Sequence, residues 1–117
     1  MQYLLLIYGN EAQEAAIPEA QMGQMMAEYG TFTQGIVQSG AFIGANRLRP
    51  TTEATTVRVK DGKTLATDGP FAETREALGG YYLVEAKDLD EAAAIAARIP
   101  SAKYGSIEVR PINPYPA

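Results

Sequence analysis

The chain has 117 residues, a length typical of a single domain, and we treat residues 1–117 as one domain with its own core. It contains no cysteine and no histidine, so thiolate chemistry, disulfides and imidazole catalysis are excluded. We expect no metal and no cofactor. The net charge of −4, with acidic and basic residues interspersed, argues against direct binding of nucleic acid. No apolar run is long enough for a membrane span, and no signal-peptide pattern is present, so we predict a cytoplasmic protein.

The first half of the chain predicts two strands around a long helix, followed by a hairpin. The predicted segments are a strand at 3–8, a loop or short helical turn at 11–17, a helix from Pro18 to Gly40, a strand at 41–48 and hairpin strands at 55–60 and 63–67. Pro18 suits a helix start and Gly40 suits its end. Asp61-Gly62 between the hairpin strands indicates a type I′ turn.

The second half predicts a short connection at 73–78, a strand at 80–86, a helix from Asp88 to Pro100 and a strand at 106–112. Asp88 and Glu91 have the spacing of a helix capping box. The resulting order fits an α+β ferredoxin-like sandwich with an inserted β-hairpin. Two helices cover only one sheet face, yet the central strands are apolar on both faces. We therefore predict a homodimer whose sheets pack face to face.

The run from Thr67 to Thr74 contains the most informative residues of the chain. Gly69 permits an unusual φ angle, Pro70 fixes the next one, and Phe71 places a large ring directly after a tight turn. Asp68 beside this ring, or beside Tyr81 or Tyr82, is a candidate general acid or base, because loss of solvation would raise its pKa. The alternative is an ordinary turn in which Asp68 caps its own backbone.

Asp68-Gly69-Pro70-Phe71 resembles the signature of the YCII-related family, in its DGPF subgroup. The opening strand, the helix that begins near Asp88 and the last strand at 105–111 resemble the family over nearly the whole length. The resemblance implies a dimeric α/β barrel without implying one reaction. Some DGPF relatives occur beside sigma-factor-like regulators, which implies a possible regulatory protein partner.

Five further residues are candidates for the site. Relatives in the family carry a histidine on the first long helix, paired with an aspartate as a proposed acid–base dyad, and that position falls near Tyr29. A phenol is a poor base at neutral pH but can donate a hydrogen bond. Arg47 and Arg49 would share a strand face if the strand continues, and could bind a carboxylate. Tyr81 and Tyr82 should point to opposite faces of one strand. For the three tyrosines the alternative is packing, and for the two arginines it is a solvated surface charge.

These observations favour a small protein that binds an organic acid or a lactone-like ligand in a pocket near Asp68, at the dimer interface. Asp68 and Tyr29 would be its catalytic residues if it is an enzyme, acting without a cofactor as a lyase, isomerase or hydrolase. Arg47, Arg49, Phe71, Tyr81 and Tyr82 are the predicted ligand contacts. A regulatory interaction module without turnover is the other hypothesis.

Overall fold

The structure, a computed structural model, describes residues 1–115. Its main sheet is antiparallel, with the strand order β2-β5-β1-β6. The strands of this sheet are β1 (Gln2–Gly9), β2 (Phe42–Arg47), β5 (Ala77–Glu85) and β6 (Ser106–Pro111). The helices are α1 (Glu11–Ala15), α2 (Glu19–Gln38) and α3 (Leu89–Ala97). The predicted mixed α+β class is confirmed, and within residues 1–115 the sheet remains open.

The predicted hairpin forms a separate two-stranded sheet of β3 (Thr55–Lys60) and β4 (Lys63–Asp68). Asp61 and Gly62 both have positive φ angles, of 51° and 77°. These values confirm the type I′ turn, whose twist matches that of the paired strands. Every residue of β4, and all but Thr56 in β3, is exposed, so the hairpin projects from the body of the chain.

The core lies between one face of the main sheet and helices α2 and α3. Tyr3, Leu5, Tyr82 and Val84 alternate with more exposed neighbours along the two central strands, as the strand period requires. The helices cover this face with Phe32, Ile36, Ala92 and Ile95, and Ile99, which follows α3, joins the same core. The opposite face is covered by no element of residues 1–115, and its central residues Leu4, Leu6, Tyr81 and Leu83 are half-buried.

The start of α3 follows the predicted capping box with one change. The Asp88 side chain accepts a hydrogen bond from the backbone N–H of Glu91 at 2.9 Å. The Glu91 carboxylate accepts from the backbone N–H of Lys87 at 3.2 Å, one residue before the cap. Both backbone donors are therefore satisfied at the helix N-terminus.

Residues 11–17 contain a helix of five residues, in agreement with the predicted loop or short helical turn. Three segments differ from the predicted pattern: 3-10 turns form at Thr51–Glu53 and Pro100–Lys103, and the start of β5 is shifted. Strand β5 begins at Ala77 rather than at residue 80, because a bulge at Gly79 lets pairing with β1 continue past the glycine pair. No helix in the described part of the chain is long and apolar enough to cross a membrane.

Candidate functional site

An open groove of about 1050 Å³ lies where α1 and the first half of α2 face one end of the main sheet. Four glycines border its floor: Gly9, Gly79, Gly80 and Gly105. Because glycine has no side chain, these positions leave the space open. Two of them are tightly constrained by their surroundings. A Cβ on Gly105 would collide with the backbone of Tyr8 and Gly9, and one on Gly80 would lie 2.9 Å from the Asn46 carbonyl oxygen. The groove therefore depends on close backbone approach at the sheet end.

One wall of the groove is apolar and is formed mainly by α2. Met22 and Met25 are half-buried along this wall, and Met26 is 41% exposed. Ile7 of β1 and Ile17 before α2 extend the apolar surface. Methionine side chains are flexible and adapt to ligands of different shape, so this wall suits the apolar part of a small molecule.

Tyr29 places a hydroxyl group between α2 and the 3-10 turn at Pro100–Lys103. Its oxygen lies 2.5 Å from the Ser101 Oγ, and the residue is half-buried. Burial raises the pKa of the Tyr29 phenol, an effect that the Ser101 hydrogen bond partly opposes and that nearby Tyr82 and Glu14 reinforce. Tyr29 therefore remains a hydrogen-bond donor or acceptor rather than a phenolate at neutral pH.

Glu14 and Arg47 bring opposite charges to the groove from different elements. The Glu14 carboxylate extends from α1 over Gly9, where it occupies the space that a Cβ on residue 9 would take. Burial raises the pKa of this carboxyl; the charge of Glu11 adds to the rise and that of Arg47 opposes it. Arg47 ends β2, with Nη1 4.0 Å from the Met26 sulfur. No salt bridge joins either residue to another group in residues 1–115.

Helix α1 is held beside the groove by hydrogen bonds at its first turn. The Asn10 side chain caps its start by accepting a hydrogen bond from the Gln13 N–H at 3.0 Å. The Glu11 carboxylate accepts from the Thr51 N–H at 2.8 Å and from its hydroxyl at 2.5 Å. These hydrogen bonds, the hydroxyl first, hold the pKa of the Glu11 carboxyl below its ordinary value. Glu11 thus fixes α1, and with it Glu14, against the segment after β2.

Five of the seven residues singled out from the sequence border this groove: Tyr29, Arg47, Arg49, Tyr81 and Tyr82. The two tyrosines of β5 point to opposite faces, as predicted. Tyr82 is buried, with its ring 5.1 Å from that of Phe32 and its hydroxyl 2.6 Å from the Thr33 Oγ1. Tyr81 is half-buried and accepts a hydrogen bond from the Asn46 amide at 2.7 Å.

Arg47 and Arg49 would share one strand face only if the strand continued, and this condition is not met because β2 ends at Arg47. Arg49 lies in the segment before the 3-10 turn at Thr51–Glu53 and forms an exposed salt bridge with Glu53 at 3.2 Å. Since an exposed pair of this kind contributes little, Arg49 remains available at the groove margin. Arg47 is the better placed of the two for a ligand.

Asp68 and Phe71 lie outside the groove within one chain. Asp68 is exposed at the end of β4, and no hydrogen bond to its side chain is present in residues 1–115. The turn is instead held through Gly69, which has a φ of 98°, donates to the Ala54 carbonyl at 2.7 Å and accepts from the Thr56 hydroxyl. Phe71 is 79% exposed, so its ring does not shelter Asp68 in the single chain.

Glu14 and Ser101 were not predicted from the sequence. The helix that carries Glu14 could have been predicted, because Asn10 followed three residues later by Gln13 is a typical helix start. A helix beginning there brings Glu11 and Glu14 onto one face, because residues three apart are neighbours on a helix. Ser101 had no such signal, since it contacts Tyr29 only after the chain folds back from α3. Among residues 1–115 no cluster of acidic side chains has the arrangement of a metal site.

Comparison with known proteins defines the class of this chain. The family model of the YCII-related domain matches residues 1–116, so the chain belongs to the YCII-related family. It is also similar to an uncharacterised protein of Rhizobium meliloti (strain 1021). The two are 38% identical over 117 residues, which cover 98% of this chain and 94% of the relative.

Proposed function

We propose that this YCII-related protein binds a small, partly apolar organic acid in the groove between α2 and the end of the main sheet. The observation that carries the proposal is the combination, within one groove, of an apolar methionine wall and the unpaired guanidinium of Arg47. Binding sites for small molecules usually pair a largely apolar lining with a few polar groups that fix orientation.

Each part of the ligand has a counterpart in the groove. Arg47 offers two parallel N–H donors to a carboxylate, an arrangement that is stronger than a bond between neutral groups. Met22 and Met25 would contact the apolar portion, and the Tyr29 hydroxyl would bond to a further oxygen of the ligand. Arg49 at the margin adds positive potential that attracts the anion.

A titration of the isotope-labelled protein with 3-phenylpropionate, followed by NMR, tests the proposal. We expect shifts of amide signals around Met22, Tyr29 and Arg47. Arg47→Gln should weaken binding by roughly tenfold to a hundredfold, since a hydrogen bond to a charged group contributes roughly 1.5–3 kcal/mol. Arg58→Gln, on the exposed hairpin, is the matched control and should bind as the parent does. Equal binding by Arg47→Gln and the parent would overturn the proposal.

We further propose that the chain has the ferredoxin-like topology of the DGPF subgroup and forms a homodimer through the sheet face opposite the helices. The strand order, with two helices on one face and an extra hairpin, supports the topology. The signature at residues 68–71 supports the subgroup. The apolar residues Leu4, Leu6 and Leu83 on the open face support a second copy as the covering layer, which would complete the barrel.

Catalysis by Asp68 is a separate hypothesis. Because Asp68 lies outside the groove in one chain, this hypothesis requires that a second copy bring its Asp68 to the ligand. Asp68→Asn keeps the size of the side chain and removes its charge. A loss of turnover with unchanged stability and unchanged dimer mass would support the catalytic role, whereas unchanged turnover would exclude it.

A further inference from the structure

Two of the charged groups that border the groove, the Glu14 carboxylate and the Arg47 guanidinium, have no salt-bridge partner within residues 1–115. The Glu14 carboxylate lies over Gly9, and no hydrogen bond to its oxygens is present in that part of the chain. In the same residues, the one hydrogen bond of the Arg47 side chain runs from Nη1 to the Met26 sulfur. An arginine and a glutamate in one groove usually form a salt bridge when their geometry allows it. Here α1 holds Glu14 against the sheet end, while Arg47 turns toward α2.

We propose that the groove recognises an amphoteric ligand, an apolar molecule that carries both a carboxylate and an ammonium group, such as an apolar amino acid. The proposal rests on the proposed function, because it assigns the carboxylate to Arg47. It adds that Glu14 binds the ammonium group and that the methionine wall binds the apolar side chain.

The electrostatic surroundings of Glu14 favour this assignment. The groups that face it are Glu11 on its own helix, Arg47 at the end of β2 and the Tyr29 phenol on α2. Loss of solvation and repulsion from Glu11 both disfavour its ionised form, and Arg47 compensates only in part. A ligand ammonium beside Glu14 would supply the missing positive charge.

A ligand that carries only a carboxylate does not supply a positive charge beside Glu14. It would neutralise Arg47 and so remove the one basic group that supports the ionised Glu14. It would also add a second negative charge near Glu14, which raises the electrostatic cost of binding. An ammonium group on the same molecule places a positive charge beside Glu14. This charge replaces the support that Arg47 no longer gives and offsets the negative charge of the ligand carboxylate. Discrimination between the two ligand types therefore depends on Glu14.

The test compares three matched probes by NMR titration at neutral pH: L-phenylalanine, 3-amino-3-phenylpropionate and 3-phenylpropionate. The first two carry the ammonium at different distances from the carboxylate, and the third lacks it. We expect at least one amphoteric probe to bind about threefold to tenfold more tightly than 3-phenylpropionate, as one charge-assisted hydrogen bond allows. Glu14→Gln should abolish this preference and strengthen the binding of 3-phenylpropionate. Glu19→Gln, outside the groove, is the matched control and should preserve the parent's preference.

The outcomes separate this inference from the proposed function. If 3-phenylpropionate binds through Arg47 at least as tightly as both amphoteric probes, the groove takes simple acids and the inference is overturned. A preference that survives in Glu14→Gln also overturns it, because another group then recognises the ammonium. If none of the three probes binds, the proposed function fails together with the inference.

Discussion

Glu11 and Glu14, three residues apart on the short helix α1, differ in how their surroundings affect the ionised carboxylate. The Thr51 hydrogen bonds stabilise the ionised form of Glu11, whereas burial disfavours the ionised form of Glu14. The folded state therefore holds the Glu11 proton less tightly than the unfolded chain does, and the Glu14 proton more tightly. The two groups must contribute to stability with opposite dependence on pH.

We predict that Glu11→Gln is less stable than the parent at neutral pH and approaches it in acid. The contribution of Glu11 is complete above its unfolded pKa and is lost as pH falls through its lower folded pKa. For Glu14, ionisation costs stability above the raised folded pKa, and this cost disappears as pH falls to the unfolded value. Glu14→Gln should therefore be slightly more stable than the parent at neutral pH and converge with it in acid.

Urea unfolding of both variants and the parent, from neutral pH down to about pH 3, measures these differences. Glu19→Gln is the control for a charge change in an exposed first helical turn. If Glu11→Gln matches the parent at neutral pH, its hydrogen bonds do not hold α1 in place. With α1 not held by Glu11, these hydrogen bonds would also not explain the position of Glu14 over Gly9.

Residue types and the family resemblance together singled out part of the residues around this groove. Arg47 was chosen because a guanidinium near a strand end can bind a carboxylate, and Tyr29 because it lies on an apolar helix face near the position of the family histidine. Glu14 was not predicted because its position depends on a helix of five residues, none of which belongs to the hydrophobic core. Asp68 drew attention through a rigid turn, but the rigidity comes from the Gly69 backbone rather than from the carboxylate.

Elements that follow from a local sequence pattern were predicted correctly, whereas features that depend on contacts between segments were not. The long helix, the capped helix α3 and the Asp61-Gly62 hairpin follow from local spacing, and all three are present. The bulge at Gly79 and the early start of β5 depend on pairing with β1, which a local pattern does not contain. The groove borders that bulge and the neighbouring glycines, so its location depends on strand pairing that the local sequence does not show.

The glycines of α2 provide a test at the scale of this element. Gly23, Gly30 and Gly35 are exposed, and a Cβ built on any of them meets no atom within 4 Å. Close packing within the chain therefore does not explain them. We predict that Gly30→Ala stabilises the fold by about 0.5–1 kcal/mol, because alanine loses less backbone entropy in a helix.

Urea unfolding of Gly30→Ala measures this gain, with Gly105→Ala as a contrasting variant. A Cβ at position 105 would collide with the backbone of Tyr8 and Gly9, so Gly105→Ala should destabilise the fold by more than about 1 kcal/mol. A loss of stability in Gly30→Ala would show that another copy or another molecule packs closely on the outer face of α2.

At the scale of the whole molecule, the chain is flat and extended. Its principal dimensions are 48 × 46 × 18 Å, and its radius of gyration is 16.3 Å. A compact chain of this length has a radius of gyration of roughly 13 Å. One sheet with helices on a single face explains the small thickness, and the projecting hairpin explains the width. Val57, Val59 and Phe71 are 60%, 72% and 79% exposed on or beside that hairpin.

A second copy would cover the open sheet face, and this predicts a dimer that one charge can disrupt. Leu83 is half-buried on that face, opposite Leu4 of β1. We predict that the parent has twice the mass of one chain by light scattering, and that Leu83→Glu shifts it to the mass of one chain. A buried, unpaired carboxylate at such an interface costs several kcal/mol. Val37→Glu, on the exposed side of α2, should remain dimeric. A parent that is monomeric at high concentration would leave the apolar face without its proposed partner and overturn the barrel.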